Sequence, residues 1–239
     1  MHMSLFKKHE RQINMGKTRS ENRVIITGAT GMVGEGVLLR CLKSPEIDAV
    51  LVINRKSCGY VHSKLKEIIH QDFFNFSPIE DHLSGYNACF FCLGISSVGI
   101  DKDTYFKMTY TLTMHVAETL SRLSKDMTFC YVSGSGTNPN GKLSWQKVKG
   151  KTENELMQLP FQQVFNLRPG FIKPIKEQKY AHKFYQFINW LFPIGRAISK
   201  NGFCSMQELG DAMINGLSHN NEKRILEGRD IIQLAKEPS

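Results

Sequence analysis

The chain is short of acid. Its 239 residues carry 22 Asp and Glu against 31 Lys and Arg, a formal net charge of +9. Part of the excess lies in Met1–Arg23, where Lys7, Lys8, Arg11, Lys17, Arg19 and Arg23 face only Glu10 and Glu21. A basic leader can meet nucleic acid or anionic lipid. Its composition predicts instead a disordered, solvated tail over residues 1–22, with no specific nucleic-acid partner.

Long apolar runs are also lacking. Nothing approaches the ~18 uncharged apolar residues of a membrane span, and Met1–Arg23 holds no apolar core of a secretory signal. Disulfide patterning is missing as well. Cys41, Cys58, Cys89, Cys92, Cys130 and Cys204 sit mostly inside apolar runs, which reads as buried thiols in a reducing, cytoplasmic protein. The eight histidines form no H-x-x-x-H pair, and no cysteine pair has a second pair or His partner at zinc spacing, so no metal site is expected. Within "CFFC", Cys89–Cys92, the two sulfurs point to opposite faces of an extended strand. No internal repeat or low-complexity linker divides residues 23–239, which predicts one domain.

What is present is an alternation. Strands are predicted at Arg23–Thr27, Ala49–Ile53, Gln71–Phe73, Ala88–Leu93, Thr128–Ser133 and Gln163–Leu167. Helices are predicted at Met32–Lys43, Val61–Ile69, Asp103–Leu123 and Leu143–Gln158. The strands are short apolar runs, not alternating ones, as in strands buried on both faces. This order predicts an α/β fold with a doubly wound parallel sheet. Beyond Pro174 the pattern turns helical, at Tyr180–Ser199 and Met206–Leu217, and predicts a small C-terminal helical cap within residues 175–220.

The first strand runs into "TGATGMVG", Thr27–Gly34. Glycines at 28, 31 and 34, after a strand and opening a helix, suit a dinucleotide's pyrophosphate. Gly28 permits the tight turn, Gly31 lets the phosphates approach the backbone, and Gly34 lets the helix pack closely. Thr30, Met32 and Val33 complete the loop, whose N–H groups meet the phosphates at a positive helix end. The second strand ends "VINRKS", where a site for NAD would carry an acid. Arg55 and Lys56 stand there instead, and a guanidinium pairs with a 2′-phosphate that a carboxylate would repel. This favours NADP over NAD.

Five stretches in order carry a resemblance: "TGATGMVG", "CLGISS" (Cys92–Ser97), "YVSGSGTN" (Tyr131–Asn138), "KVKGKTENEL" (Lys147–Leu156) and "NLRPGFIKP" (Asn166–Pro174). From Val24 to about Ala235 the chain resembles the short-chain dehydrogenase/reductase superfamily. It is most similar to an atypical, NAD(P)-binding, epimerase-like branch that includes the Tat-interactive-protein group. The resemblance implies a Rossmann fold whose cap closes over a small-molecule substrate. It implies that Asp72 and the backbone near Phe73 meet the adenine, that Cys92, Leu93 and Gly94 line the cofactor's middle, and that Pro169, Gly170 and Phe171 lie against it.

The resemblance also implies a Ser, Tyr and Lys set, the last two spaced Y-x-x-x-K on one helix face. Ser135 and Lys149 fill their positions, with Lys149 also holding the cofactor's ribose. The tyrosine position holds Trp145, whose indole donates a hydrogen bond but does not titrate usefully. Tyr131, Tyr105 and Tyr110 are weak substitutes. Two functions follow: an NADP-dependent oxidoreductase or epimerase acting on a small carbonyl or nucleotide-sugar-like substrate, or a catalytically weak NADPH-binding regulator that presents its cap to a partner. The aromatic stretch Phe184–Ile198 fits a substrate pocket or a homodimer contact better than peripheral membrane contact.

Overall fold

The structure is a computed structural model and describes residues 21–180, 192–199, 201–219 and 222–237. The strands are β1 (Arg23–Thr27), β2 (Ala49–Asn54), β3 (Leu65–Ile69), β4 (Ala88–Phe91), β5 (Thr128–Val132), β6 (Gln163–Arg168), β7 (Phe171–Lys173), β8 (Phe203–Ser205) and β9 (Ile225–Glu227). The helices are α1 (Met32–Lys43), α2 (Lys102–Phe106), α3 (Leu112–Leu123), α4 (Ser144–Leu156), α5 (Phe192–Ile198), α6 (Met206–Asn215) and α7 (Gly228–Leu234). Seven strands form a parallel sheet in the order β3-β2-β1-β4-β5-β6-β9. β7 and β8 pair separately.

The strand order reverses between β1 and β4. Thr27 at the end of β1 lies between Ile53 and Phe91, so the crevice opens beside the glycine loop. The non-alternating strands are buried on both faces. Ile26, Phe90 and Cys130 face one core, with α1 and α6; Ile25, Cys89, Phe91 and Phe129 face the other, with α3. Each large side chain so buried contributes roughly 1.5–3 kcal/mol. Cys89 and Cys92 do lie on opposite faces, and all six cysteines are free thiols.

Four expectations differ from the structure. Val61–Ile69, read as a helix, contains strand β3, and no strand forms at Gln71–Phe73. Leu65 and Ile68 are spaced like a helix face, but at the sheet edge β2 supplies a parallel partner for every residue from Leu65 to Ile69. The helix read at Asp103–Leu123 is interrupted by a π-turn at Lys107–Thr111. The helix read at Met206–Leu217 exists, but it flanks the sheet and is no cap: Met206 and Leu209 enter the core beside α1, and Asp211 pairs with Arg40 at 2.5 Å. Most of the Tyr180–Ser199 helix, and of Phe184–Ile198, lies outside the described residues. Phe192 is buried and rests against Phe171 and Phe203, with ring centroids 6.3 and 6.1 Å away. No described helix is long and apolar enough to cross a membrane.

Candidate functional site

The glycine loop is built as its spacing requires. Gly28 has φ +77°, and a Cβ there would lie 2.9 Å from the Cys92 carbonyl. The Gly31 N–H closes the turn on the Gly28 oxygen at 2.9 Å. A Cβ on Gly34 would stand 2.2 Å from that same oxygen, so only glycine lets α1 start this close to β1. Gly31 differs: its Cβ would meet only the Gly28 oxygen, at 3.4 Å, and otherwise open space. Gly31 caps α1 without a side-chain hydrogen bond, while Met32 and Val33 turn partly inward onto the core. The first turn therefore offers backbone N–H groups toward the crevice, the arrangement that takes a pyrophosphate.

Beside it lies a cavity of about 170 Å³. Arg55, Asp72, Phe73 and Leu93 line it, together with Gln71, Phe74, Met108 and Leu112. Four residues singled out from the sequence, from three separate loops, thus meet around one space. Phe73 is 6% exposed and packs edge-on to Phe76, so its ring is turned into the core. Asp72 Oδ1 accepts from the Phe74 N–H at 2.9 Å, and Gln71 Nε2 donates to the Arg55 carbonyl at 2.6 Å, tying the two rims together. Lys56 is exposed and does not line this cavity; its ammonium lies 6.0 Å from the Tyr180 ring centroid. Met108 and Leu112 come from the π-turn and α3, and no local pattern marks them.

Gly94 opens onto free space: a Cβ there would meet nothing within 4 Å. Burial pushes the Cys92 thiol up to about 12, so it is a spacer and not a nucleophile. Ser135 is exposed, and its N–H donates to the Pro169 carbonyl at 2.9 Å. Lys149 reaches back from α4, half-buried, and donates to the Ser133 carbonyl at 2.9 Å. Burial lowers its ammonium to about 8, with Glu153 opposing the shift. Trp145, one turn earlier, lies with its indole edge 3.3 Å from where a Gly136 Cβ would be, so the ring covers the serine loop.

All three tyrosines weighed as substitutes are held protonated, and only Tyr131 is seen against Lys149, whose ammonium lies 5.6 Å from its ring centroid. Tyr131 is 1% exposed, and burial raises its hydroxyl far from the neutral range. Burial also raises Tyr105. Tyr110 donates to Glu155, which raises it too. In the "RPGF" stretch Pro169 meets the serine loop through its carbonyl. A Gly170 Cβ would lie 2.3 Å from the Gly202 oxygen, and Phe171 stacks toward Phe203 at 5.7 Å, so both serve packing of β7 on β8.

The residues missed from sequence form an ion-pair node below this crevice. Arg168 Nη2 meets Glu153 Oε2 at 2.5 Å and its Nη1 meets Glu227 at 3.0 Å, with the Glu153 side chain 1% exposed. Glu153 lies one turn beyond Lys149 on α4, so the node fixes the helix that carries the lysine. Its hint in the sequence was the i,i+4 spacing of Lys149 and Glu153. No cluster of metal-ligating side chains occurs among the described residues.

Comparisons with known proteins bear on the fold. No family model matches the chain. Among curated proteins, "Protein FMP52, mitochondrial" of Saccharomyces cerevisiae is 25% identical over 150 residues, 61% of this chain and 64% of its own length. Its namesake in Eremothecium gossypii is 24% identical over 224 residues, 89% of this chain and 97% of its own. Among solved structures, UDP-glucuronic acid 4-epimerase from Bacillus cereus in complex with NAD superposes with TM-score 0.63 at 13% identity, covering 85% of this chain and 77% of that one. A UDP-N-acetylglucosamine 4-epimerase from Methanobrevibacter ruminantium gives 0.63 at 15%, covering 87% and 76%. The chain has the fold of these epimerases.

The relatives' names overturn the cytoplasmic expectation. That expectation rested on buried thiols and the lack of an apolar signal, and neither separates the cytoplasm from the mitochondrion. A basic, acid-poor leader is as compatible with a mitochondrial address as with a solvated tail.

Proposed function

We propose that residues 23–239 form one dinucleotide-binding domain that takes NADP(H) in preference to NAD(H), in the compartment its relatives' names give, the mitochondrion. One observation carries the binding: the glycine turn abuts Leu93, a Gly28 Cβ falling 3.0 Å from the Leu93 nitrogen, and Leu93 lines one cavity with Arg55, Asp72 and Phe73. The residues present fit such a group. Free N–H groups at the start of α1 receive the pyrophosphate, Asp72 and the Phe73 backbone receive the adenine, and Lys149 holds the nicotinamide ribose. The preference for a 2′-phosphate rests on Arg55 at the cavity rim, with Lys56 next to it in sequence but outside the lining, and on no comparison: the solved Bacillus cereus neighbour holds NAD.

A bound dinucleotide supplies a hydride. On this chain the rest of an oxidoreductase or epimerase reaction falls to Ser135 as hydrogen-bond donor to a carbonyl-bearing substrate and to Lys149. Trp145 cannot pass a proton where a phenol would. That observation favours a second reading, a nucleotide-binding regulator that turns over slowly or not at all. Calorimetry with NADPH and NADH tests the first proposal; equal affinities refute the 2′-phosphate assignment. A turnover screen over aldehydes, ketones and nucleotide sugars separates the readings, because a regulator binds NADPH without consuming it.

A further inference from the structure

Glu35 stands in the first turn of α1, directly after Gly34, and is 0% exposed. Its carboxylate gathers donors from two distant segments. Tyr60, in the loop after β2, donates its hydroxyl to Oε1 at 2.6 Å. The Lys179 N–H donates to Oε1 at 2.6 Å and the Tyr180 N–H to Oε2 at 2.7 Å. A second tie lies beside it: Gln178 Nε2 donates to the Met32 carbonyl at 2.5 Å, while its Oε1 takes the Ile175 N–H at 2.9 Å. Lys179 then reaches over the Tyr60 ring, 4.0 Å from its centroid, to the Gly59 carbonyl at 3.0 Å. Residues 175–180 are thereby strapped across the phosphate-loop helix and the loop that carries Arg55 and Lys56.

A buried carboxylate is costly unless every lone pair finds a donor. An apolar side chain at position 35 would fill the same space without demanding any particular partner. A carboxylate accepts one arrangement only, with the strap seated and Tyr60 turned inward. The burial of Tyr60 and its bond to Glu35 also raise its hydroxyl, so it stays a donor. The helix N-terminus favours the negative charge. The same turn presents the N–H groups that the pyrophosphate needs.

We propose that Glu35 is a positioning residue for dinucleotide binding: it fastens residues 175–180 to the first turn of α1, so that seating the strap and binding the cofactor's phosphates stabilise the same helix start. The inference rests on the dinucleotide reading above. By linkage, what the strap does for cofactor affinity the cofactor must do for the strap.

Hydrogen exchange followed by mass spectrometry on the full chain, with and without NADPH, is the test, alongside calorimetry. In the parent, NADPH should slow exchange of the 175–180 peptide. Glu35→Gln keeps the shape but turns an amide N–H toward the Tyr180 N–H. It should speed exchange of that peptide without ligand and weaken NADPH by about tenfold, the scale of one charge-assisted hydrogen bond. Tyr60→Phe removes one donor from a half-buried side chain and should move both readouts the same way by less. It also keeps the test open should Glu35→Gln fail to fold. Faster strap exchange with unchanged NADPH affinity would make Glu35 a structural staple and overturn the proposal, as would exchange in the parent that NADPH does not alter. A parent that binds no dinucleotide refutes the site reading itself, an outcome distinct from a parent that binds and variants that bind equally well.

Discussion

Replacing Lys149 with Met separates the lysine's cost to the fold from its use to the site. The ammonium is half-buried with one hydrogen bond, to the Ser133 carbonyl at 2.9 Å, and burial lowers it from 10.5 to about 8. The unfolded chain holds this proton up to the ordinary value, so between the two pH values the unfolded state binds more protons. Stability from this group therefore rises with pH: the penalty is fully present below about 8 and fades toward 10.5. At roughly 1.4 kcal/mol per pH unit the full penalty is about 3 kcal/mol, and partial exposure reduces it to on the order of 1–2 kcal/mol. Urea unfolding of parent and Lys149→Met at pH 7 and pH 10 measures it as a double difference, in which other titrating groups cancel. The parent should gain on the variant by about 1–2 kcal/mol as pH rises, while the variant binds NADPH more weakly at pH 7. A parent–variant difference that stays flat or falls with pH would refute the desolvated-ammonium reasoning.

Three further outcomes follow from the site. Arg55→Asp should reverse the cofactor preference in calorimetry, removing a charge-assisted contact of roughly 1.5–3 kcal/mol; an unchanged preference would assign the selection elsewhere. Gly31→Val should abolish NADPH binding and leave the melting temperature near the parent's. Gly31 has φ −107° and ψ 164°, which a branched residue adopts, and its Cβ side is open; a variant that binds like the parent would make the loop a turn only. Trp145→Tyr restores a phenol four residues before Lys149 and should raise NADPH-dependent carbonyl reduction, within the ~100- to ~10,000-fold range of acid–base assistance. A phenol is smaller than the indole that reaches over Gly136, so it fits without a clash; robust parent turnover that the substitution leaves unchanged or lowers would mean another group supplies the proton.

The sequence alone determined the parallel sheet, because strands buried on both faces lose their alternation and show as short apolar runs between helices. It also determined the glycine turn, since a positive φ at Gly28 and a backbone contact at Gly34 leave traces as residue type. The pair Trp145 and Lys149 was legible as a four-residue spacing on one helix face, and Ser135 only through the resemblance. Tertiary structure decided what depended on distant neighbours. Leu65–Ile69 becomes a strand only because β2 offers an edge, and Met206–Asn215 packs on α1 because Met206 and Leu209 join the core that α1 covers. The "RPGF" glycine and phenylalanine pack against Gly202 and Phe203, some thirty residues on, a contact with no local signal. Glu35 carries no signal in the sequence beyond its place in a helix's first turn. Its burial depends on N–H groups 144 and 145 residues away, and no local pattern encodes a bond of that separation.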